Sequence, residues 1–162
     1  MPRNVEQVVS AVPEMLDLLG SRRVHFLLTA LLRIAASASP LSGKQLADML
    51  HCPRRYLEPD LQALVSAGIL ESRRGAGGGY LIAINPHRIS LLDILQCIAP
   101  ETTCSTDNDS CRLQQEVVQP LILQMRKNCL QNLATLTLAS CLEKARQAEI
   151  LSQPASAPNF SI

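Results

Sequence analysis

Between Ser42 and Ile84 the chain reads as a short helix, a tight turn, a second helix and a glycine-rich hairpin, and no other stretch narrows the possible folds so far. Ser42 followed by Gln45 is a capping-box pattern that opens a helix running to Leu50. His51-Cys52-Pro53 reads as the turn, with Pro53 at the first position of the next helix. That helix turns Leu57, Leu61, Leu64 and Val65 to one side and stops at Gly68, a good left-handed cap. Pro59 inside it removes one backbone donor and is expected to bend the helix early. Ile69 to Glu71 and Tyr80 to Ile84 read as short strands around a linker holding four of the seven glycines.

This order is how a winged helix-turn-helix reads in sequence. The second helix of such a unit enters the major groove N-terminus first, and the hairpin reaches the backbone or the adjacent minor groove. Arg54, Arg55, Tyr56 and Glu58 fall in the first two turns of that helix. Arg can donate to guanine or phosphate, Tyr to phosphate, and a carboxylate can accept from cytosine. The alternative is a solvated helix face carrying an ordinary charge pair. Arg73, Arg74 and Gly75 lead into the hairpin tip, where glycine permits close approach and the arginines can meet phosphates or a narrow minor groove. Lys44 adds a possible phosphate contact. A dinucleotide-binding loop does not fit, because Tyr80 occupies the last glycine position of G-x-G-x-x-G and a strand follows instead of a helix.

Charge agrees with a local footprint. The 162 residues carry a net charge of only +1, so the chain is no polycation, yet residues 20–80 hold eight basic residues against four acidic ones. With two Tyr, two Phe and no Trp, an aromatic platform for single-stranded nucleic acid is excluded.

The remaining elements are helical. Val24, Leu27, Leu28, Leu31 and Ala35 form a clean stripe, preceded by a helical extension over residues 1–20 that Pro13 should kink or split. Ser90 and Asp93 cap a helix with Leu91, Ile94, Leu95 and Ile98 inside. A long helix begins at Arg112, with Val117, Leu121, Met125 and Cys129 recurring every fourth residue as an expected core stripe, and a last helix starts near Thr137. The domain reading is therefore an extension at 1–20, a winged helix-turn-helix at 21–86, a loop and helices at 87–150, and a disordered tail at 151–162. The fold class is mostly α with a small two-stranded β wing. No export signal or membrane-length apolar run is visible, which predicts a cytoplasmic protein with reduced cysteines.

Tyr56-Leu57-Glu58, Leu61-x-x-Leu64-x-x-Ala67-Gly68-Ile69-Leu70, Arg74-Gly75-Ala76-Gly77-Gly78-Gly79-Tyr80 and Ile89-x-Leu91-x-Asp93-Ile94 together resemble the bacterial Rrf-two family of transcriptional regulators, over roughly residues 22–142. The resemblance implies a homodimer with a long crossed dimerisation helix near residues 112–134, bound to an imperfect palindrome in double-stranded DNA. By position it puts Tyr56 and Glu58 on the recognition helix and Arg74 with Gly75 on the wing. Ala76 stands where a Pro is common in the family.

Cluster-binding members of that family resemble one another in having three Cys in the loop before the dimerisation helix, and thiolates are the usual iron-sulfur ligands. Here the loop offers Cys104 and Cys111 alone. The resemblance supplies a third candidate across the dimer, His25, just before Phe26 in the first conserved helix; imidazole can replace thiolate on iron. Cys97 lies beside an apolar stripe and reads as structural. The expectation is thus a DNA-binding regulator controlled by an iron-sulfur cluster, of the two-iron two-sulfur type if any, or by a Cys104/Cys111 dithiol. A protein-interaction module is the reading from another class. Catalysis ranks last, for want of a Cys-x-x-Cys pair, a dinucleotide fingerprint or an acid-base constellation.

Overall fold

A computed structural model describes residues 12–75, 77–99 and 112–151. Helix α1 spans Val12–Leu19, so Pro13 falls in its first turn, where a missing N–H costs no hydrogen bond. Helix α2, Arg22–Ala36, starts at the N-cap Ser21, whose hydroxyl accepts from the Val24 N–H at 3.3 Å. Its expected stripe is the central wall of the core: Val24, Leu27 and Leu31 are buried, joined by Ala30 and Ile34.

Helix α3, Gly43–Leu50, carries the complete Ser42/Gln45 capping box. It ends at His51, held in the left-handed region at φ 50° and ψ 42°, and the Cys52 N–H returns to the Ala47 carbonyl at 3.1 Å. Helix α4, Arg54–Ser66, follows with Pro53 as its N-cap rather than its first residue. The helix runs on through Pro59, which forfeits only the bond to the Arg55 carbonyl. At its other end Gly68 and Ile69 donate to Val65 and Leu64, the paired bonds of a Schellman cap.

Strands β1, Leu70–Arg73, and β2, Gly79–Ile82, pair antiparallel with Leu70 opposite Ile82 and Arg73 opposite Gly79. Leu41 joins them as a bridge to Tyr80, through two backbone hydrogen bonds at 2.9 and 3.2 Å. Gly79 is what lets that segment close in: a Cβ there would meet the Leu41 carbonyl carbon at 2.4 Å. The wing is thereby fastened to the chain that leads into α3.

After a 3₁₀ turn at Pro86–Arg88, helix α5, Leu91–Ile98, starts on the expected Ser90/Asp93 box. Helix α6, Gln119–Thr135, is entered through a π-helical turn at Gln114–Val118. Pro120 has no N–H for the Glu116 carbonyl, and the ladder widens just ahead of it. Helix α7, Leu138–Gln147, begins at the capping box of Thr137 and Ser140. Ser90 and Thr137 form a bridge, with Leu91 N–H on Leu136 and Leu138 N–H on Ile89, both at 2.8 Å, so α7 is carried back onto α2.

One expectation fails. Val117, Leu121 and Met125 are not core: they are more than half exposed, and only Cys129 of that stripe packs partly against the interior. Periodicity reports that a face is apolar, not what covers it. The part of α6 that meets the core is its C-terminal half, where the same i+4 row runs on through Cys129 to the buried Leu133. Helix α1 packs against α2, α5 and α6 of its own chain. Leu151, where the tail was expected to begin, is buried, and residues 152–162 lie outside the described residues.

Candidate nucleic-acid interface

The first turns of α4 owe their exposure to the helix's own period. Leu57, Asp60, Leu61 and Leu64 face inward, which leaves Arg55, Glu58 and Gln62 on the outer side, with Arg54 and Tyr56 on its flanks. Tyr56 is 52% exposed, an unusual position for an aromatic ring in a chain with so few. The Arg55 guanidinium lies 5.4 Å from its ring centroid, a cation-π contact that stiffens both side chains.

Arg54 and Glu58, both predicted to meet DNA, meet each other. Arg54 Nη2 donates to Glu58 Oε1 at 2.7 Å across one helical turn. The i,i+4 spacing is the signal that shows this pair in sequence. Such an exposed pair is weak, so either partner is free to exchange it for a base or phosphate.

Gln62 went unremarked in the sequence and proves to be the link between helix and wing. Its Nε2 donates to the hydroxyl of Tyr80 at 3.0 Å, and Tyr80 is otherwise buried beneath the hairpin. Helix α4 and β2 are therefore held together by a side-chain bond as well as by the core.

At the wing, Arg74 and Gly75 are exposed, and Gly75 sits at φ 100°, a conformation closed to most side chains. The Gly78 N–H closes the tip on the Gly75 carbonyl at 3.0 Å. Arg73 is turned elsewhere. Strand alternation puts it with Glu71, to which its Nε donates at 3.0 Å, on the face lining a cleft behind the wing. Lys44 is exposed on α3, and neither Lys44, Arg55 nor Arg74 takes part in a salt bridge among the described residues.

Of the predicted metal ligands, His25 alone lies among the described residues. His25 is exposed on α2, while Cys104 and Cys111 lie outside the described residues. Among the described residues no group of three or more His, Cys, Asp or Glu is placed to hold a metal ion. Cys97 and Cys129 pack against the core as partly buried side chains, as the sequence led one to expect. No helix of the described residues is long and apolar enough to cross a membrane.

Three comparisons bear on this geometry. The model of a family described as Rrf2, iron-dependent transcriptional regulator, matches residues 20–144. The HTH-type transcriptional regulator BadM of Rhodopseudomonas palustris is 34% identical over 100 residues, covering 58% of this chain and 64% of its own. The HTH-type transcriptional regulator slr0846 of Synechocystis sp. is 32% identical over 126 residues, covering 75% of this chain and 86% of its own. Among solved structures, IscR of T. potens superposes with a TM-score of 0.64 at 26% identity, covering 83% of this chain and 96% of its own. CymR, the global cysteine regulator of B. subtilis, superposes at 0.63 and 26%, covering 76% and 95%.

Proposed function

The chain belongs to the Rrf2 family of transcriptional regulators, and we propose that it works as a homodimer on a palindromic operator in double-stranded DNA. The observation that carries this reading is the joint made by Gln62 and Tyr80. It fastens an exposed recognition helix to a glycine-tipped wing, and their exposed groups are a mixture of donors and one carboxylate. In this reading Lys44, Arg55 and Arg74 hold phosphates, Arg54, Tyr56 and Glu58 face the groove, and Gly75 lets the tip approach the backbone. Arg73 is left out, because it faces the rear of the wing. Residues 21–86 form the DNA-binding unit and 87–150 the sensing and dimerisation unit.

The apolar face of α6 supports the dimer. Leu121 and Met125, with Val117 in the π-helical turn ahead of them, are exposed on the N-terminal part of a helix whose C-terminal half packs on the core. A second copy of the same helix is the occupant that an isologous interface supplies.

Cys104 and Cys111 are our candidates for the sensing element. With His25 of a second copy they make three donors, one fewer than a two-iron two-sulfur cluster takes from protein. The exposure of His25 leaves it available to a partner chain. An iron-sulfur cluster, where bound, supplies a redox-responsive centre that ties two subunits together. The second reading keeps the fold and lets Cys104 and Cys111 cycle between dithiol and disulfide. The oxidised form of Staphylococcus aureus CymR, which this chain resembles at 26% identity and a TM-score of 0.61, favours keeping it in view.

The decisive test is salt dependence. A duplex of roughly 25 base pairs with an inverted repeat, selected from a random library, spans two half-sites. If the dimer neutralises six to eight phosphates, log affinity should fall against log salt with a slope of roughly −5 to −7. A slope near zero would instead favour docking on a protein. Anaerobic purification decides the sensor: iron and acid-labile sulfide lost in Cys104→Ala and Cys111→Ala mark a cluster, and a colourless protein that loses thiols on oxidation marks the dithiol.

A further inference from the structure

Behind the wing lies a cleft of about 790 Å³, walled by the end of α2, by β1 and β2, by the 3₁₀ turn and by α7. Ile34, Leu81, Ile82, Pro86 and Leu142 make much of its lining apolar. Two arginines line it as well, and they differ. Arg73 Nε is satisfied by Glu71 at 3.0 Å. Arg146 Nε is buried and has no hydrogen-bond partner, and the ion-pair contact of its Nη1 with Glu143 Oε2 is 3.9 Å, too long for a hydrogen bond.

That Nε is closed to water, so a ligand meets Arg146 through the rest of its guanidinium, whose side chain is 27% exposed and lines the cleft; a guanidinium has donors only, so what pairs with it must bring an acceptor oxygen. The volume falls in the range of small-molecule sites, and the apolar lining calls for a hydrocarbon body. The residues that the DNA reading uses lie elsewhere. We propose that this cleft binds a small monocarboxylate with an apolar body, its carboxylate accepting from the terminal N–H groups of the Arg146 guanidinium. The carboxylate suits a cation better than a neutral carbonyl does, because a charge-assisted bond is stronger.

Since β1 and β2 form one wall, occupancy bears on how the wing sits. Ligand and DNA affinity are then linked reciprocally. That consequence rests on the DNA-binding reading; ligand binding itself does not, and it is measured on the free protein.

The probe is octanoate, titrated into full-length protein by calorimetry and by methyl NMR, with octylamine and octan-1-ol as equal-length controls. Saturable binding of one octanoate per chain is expected, with shifts at Leu81, Ile82 and Leu142 and no comparable binding of octylamine. Arg146→Met should weaken octanoate by about tenfold or more while leaving octan-1-ol unchanged. Ala38→Phe, at an exposed position on the edge of the cleft, should abolish octanoate binding with Arg146 intact. The proposal is overturned if octanoate does not saturate, if the shifts fall outside the cleft, if octylamine binds equally, or if both variants bind octanoate like wild type. Loss of DNA binding with octanoate binding intact would sink the operator reading and leave the site.

Discussion

Arg23, in the first turn of α2, grips Asp60 in the middle of α4, its Nε 2.9 Å from Oδ2 and 3.1 Å from Oδ1. Asp60 is 1% exposed and is the one buried charged residue among those described, whereas the Arg23 side chain keeps 44% of its surface in solvent. The hydrogen bond to Asp60 raises the Arg23 pKa above its ordinary value. Arg23 stays charged across any practical pH range, and the pair ties α4 to the first turn of α2.

The two partners should therefore behave unequally. Arg23→Ala strands a buried carboxylate and should cost about 2–3 kcal/mol, below the value for a fully buried pair because Arg23 is half in water. Asp60→Asn keeps an acceptor and leaves an arginine that can swing outward, so it should cost less. Urea unfolding at fixed chain concentration measures both. Equal losses would show that the asymmetry of burial does not matter here.

This pair also shows where sequence reading stops. The caps at Ser42, Ser90 and Thr137 were legible because each is completed within a few residues. The wing was legible because only glycine serves at its turn and at the approach of Leu41 to Gly79. Asp60 sits at a helical core position like Leu57 and Leu61, and its partner is 37 residues away, so nothing local announces it. The cleft around Arg146 draws its walls from three distant segments and was invisible for the same reason. The stripe on α6 was seen and assigned to the wrong surface, because an apolar period looks the same facing a core or facing a second chain.

Glu58 and Arg74 should separate reading from holding. Glu58→Ala releases Arg54 from its 2.7 Å bond and removes a charge that repels phosphate. Non-specific affinity should rise, and discrimination at one base pair of each half-site should fall by about 1–3 kcal/mol. Arg74→Ala should weaken binding to all sequences and lower the salt slope by about 1 per subunit. A binding selection followed by anisotropy titrations tests both. Unchanged base preference in Glu58→Ala removes that residue from the readout.

Cys52 predicts a pH effect. Burial in the turn between α3 and α4 raises its thiol pKa, so the folded chain keeps this proton at a pH where the unfolded chain loses it. The unfolded state then binds fewer protons, and stability falls as pH rises from about 8.5 upward. Cys52→Ala should lose less stability than wild type between roughly pH 7.5 and 9.5, the other cysteines being common to both. Parallel losses in urea titrations at the two pH values would mean that the Cys52 thiol ionises without unfolding.

The face of α6 makes the sharpest demand on the dimer. Leu121 is 58% exposed, between Val117 and Met125 one turn to either side, and about three turns ahead of the buried Leu133 on the same i+4 row. In an isologous contact the residue is lost twice per dimer. At about 1.5–3 kcal/mol for each leucine covered, Leu121→Asp should weaken association by about 3–6 kcal/mol, or roughly a hundredfold to ten-thousandfold. Sedimentation at micromolar concentration should then find monomer, with helix content by circular dichroism unchanged because the substituted side chain supports nothing within its own subunit. DNA binding should become steeply concentration-dependent, since two half-sites then recruit two separate chains. A Leu121→Asp protein that stays dimeric would show that the apolar face of α6 is not the surface where two copies meet.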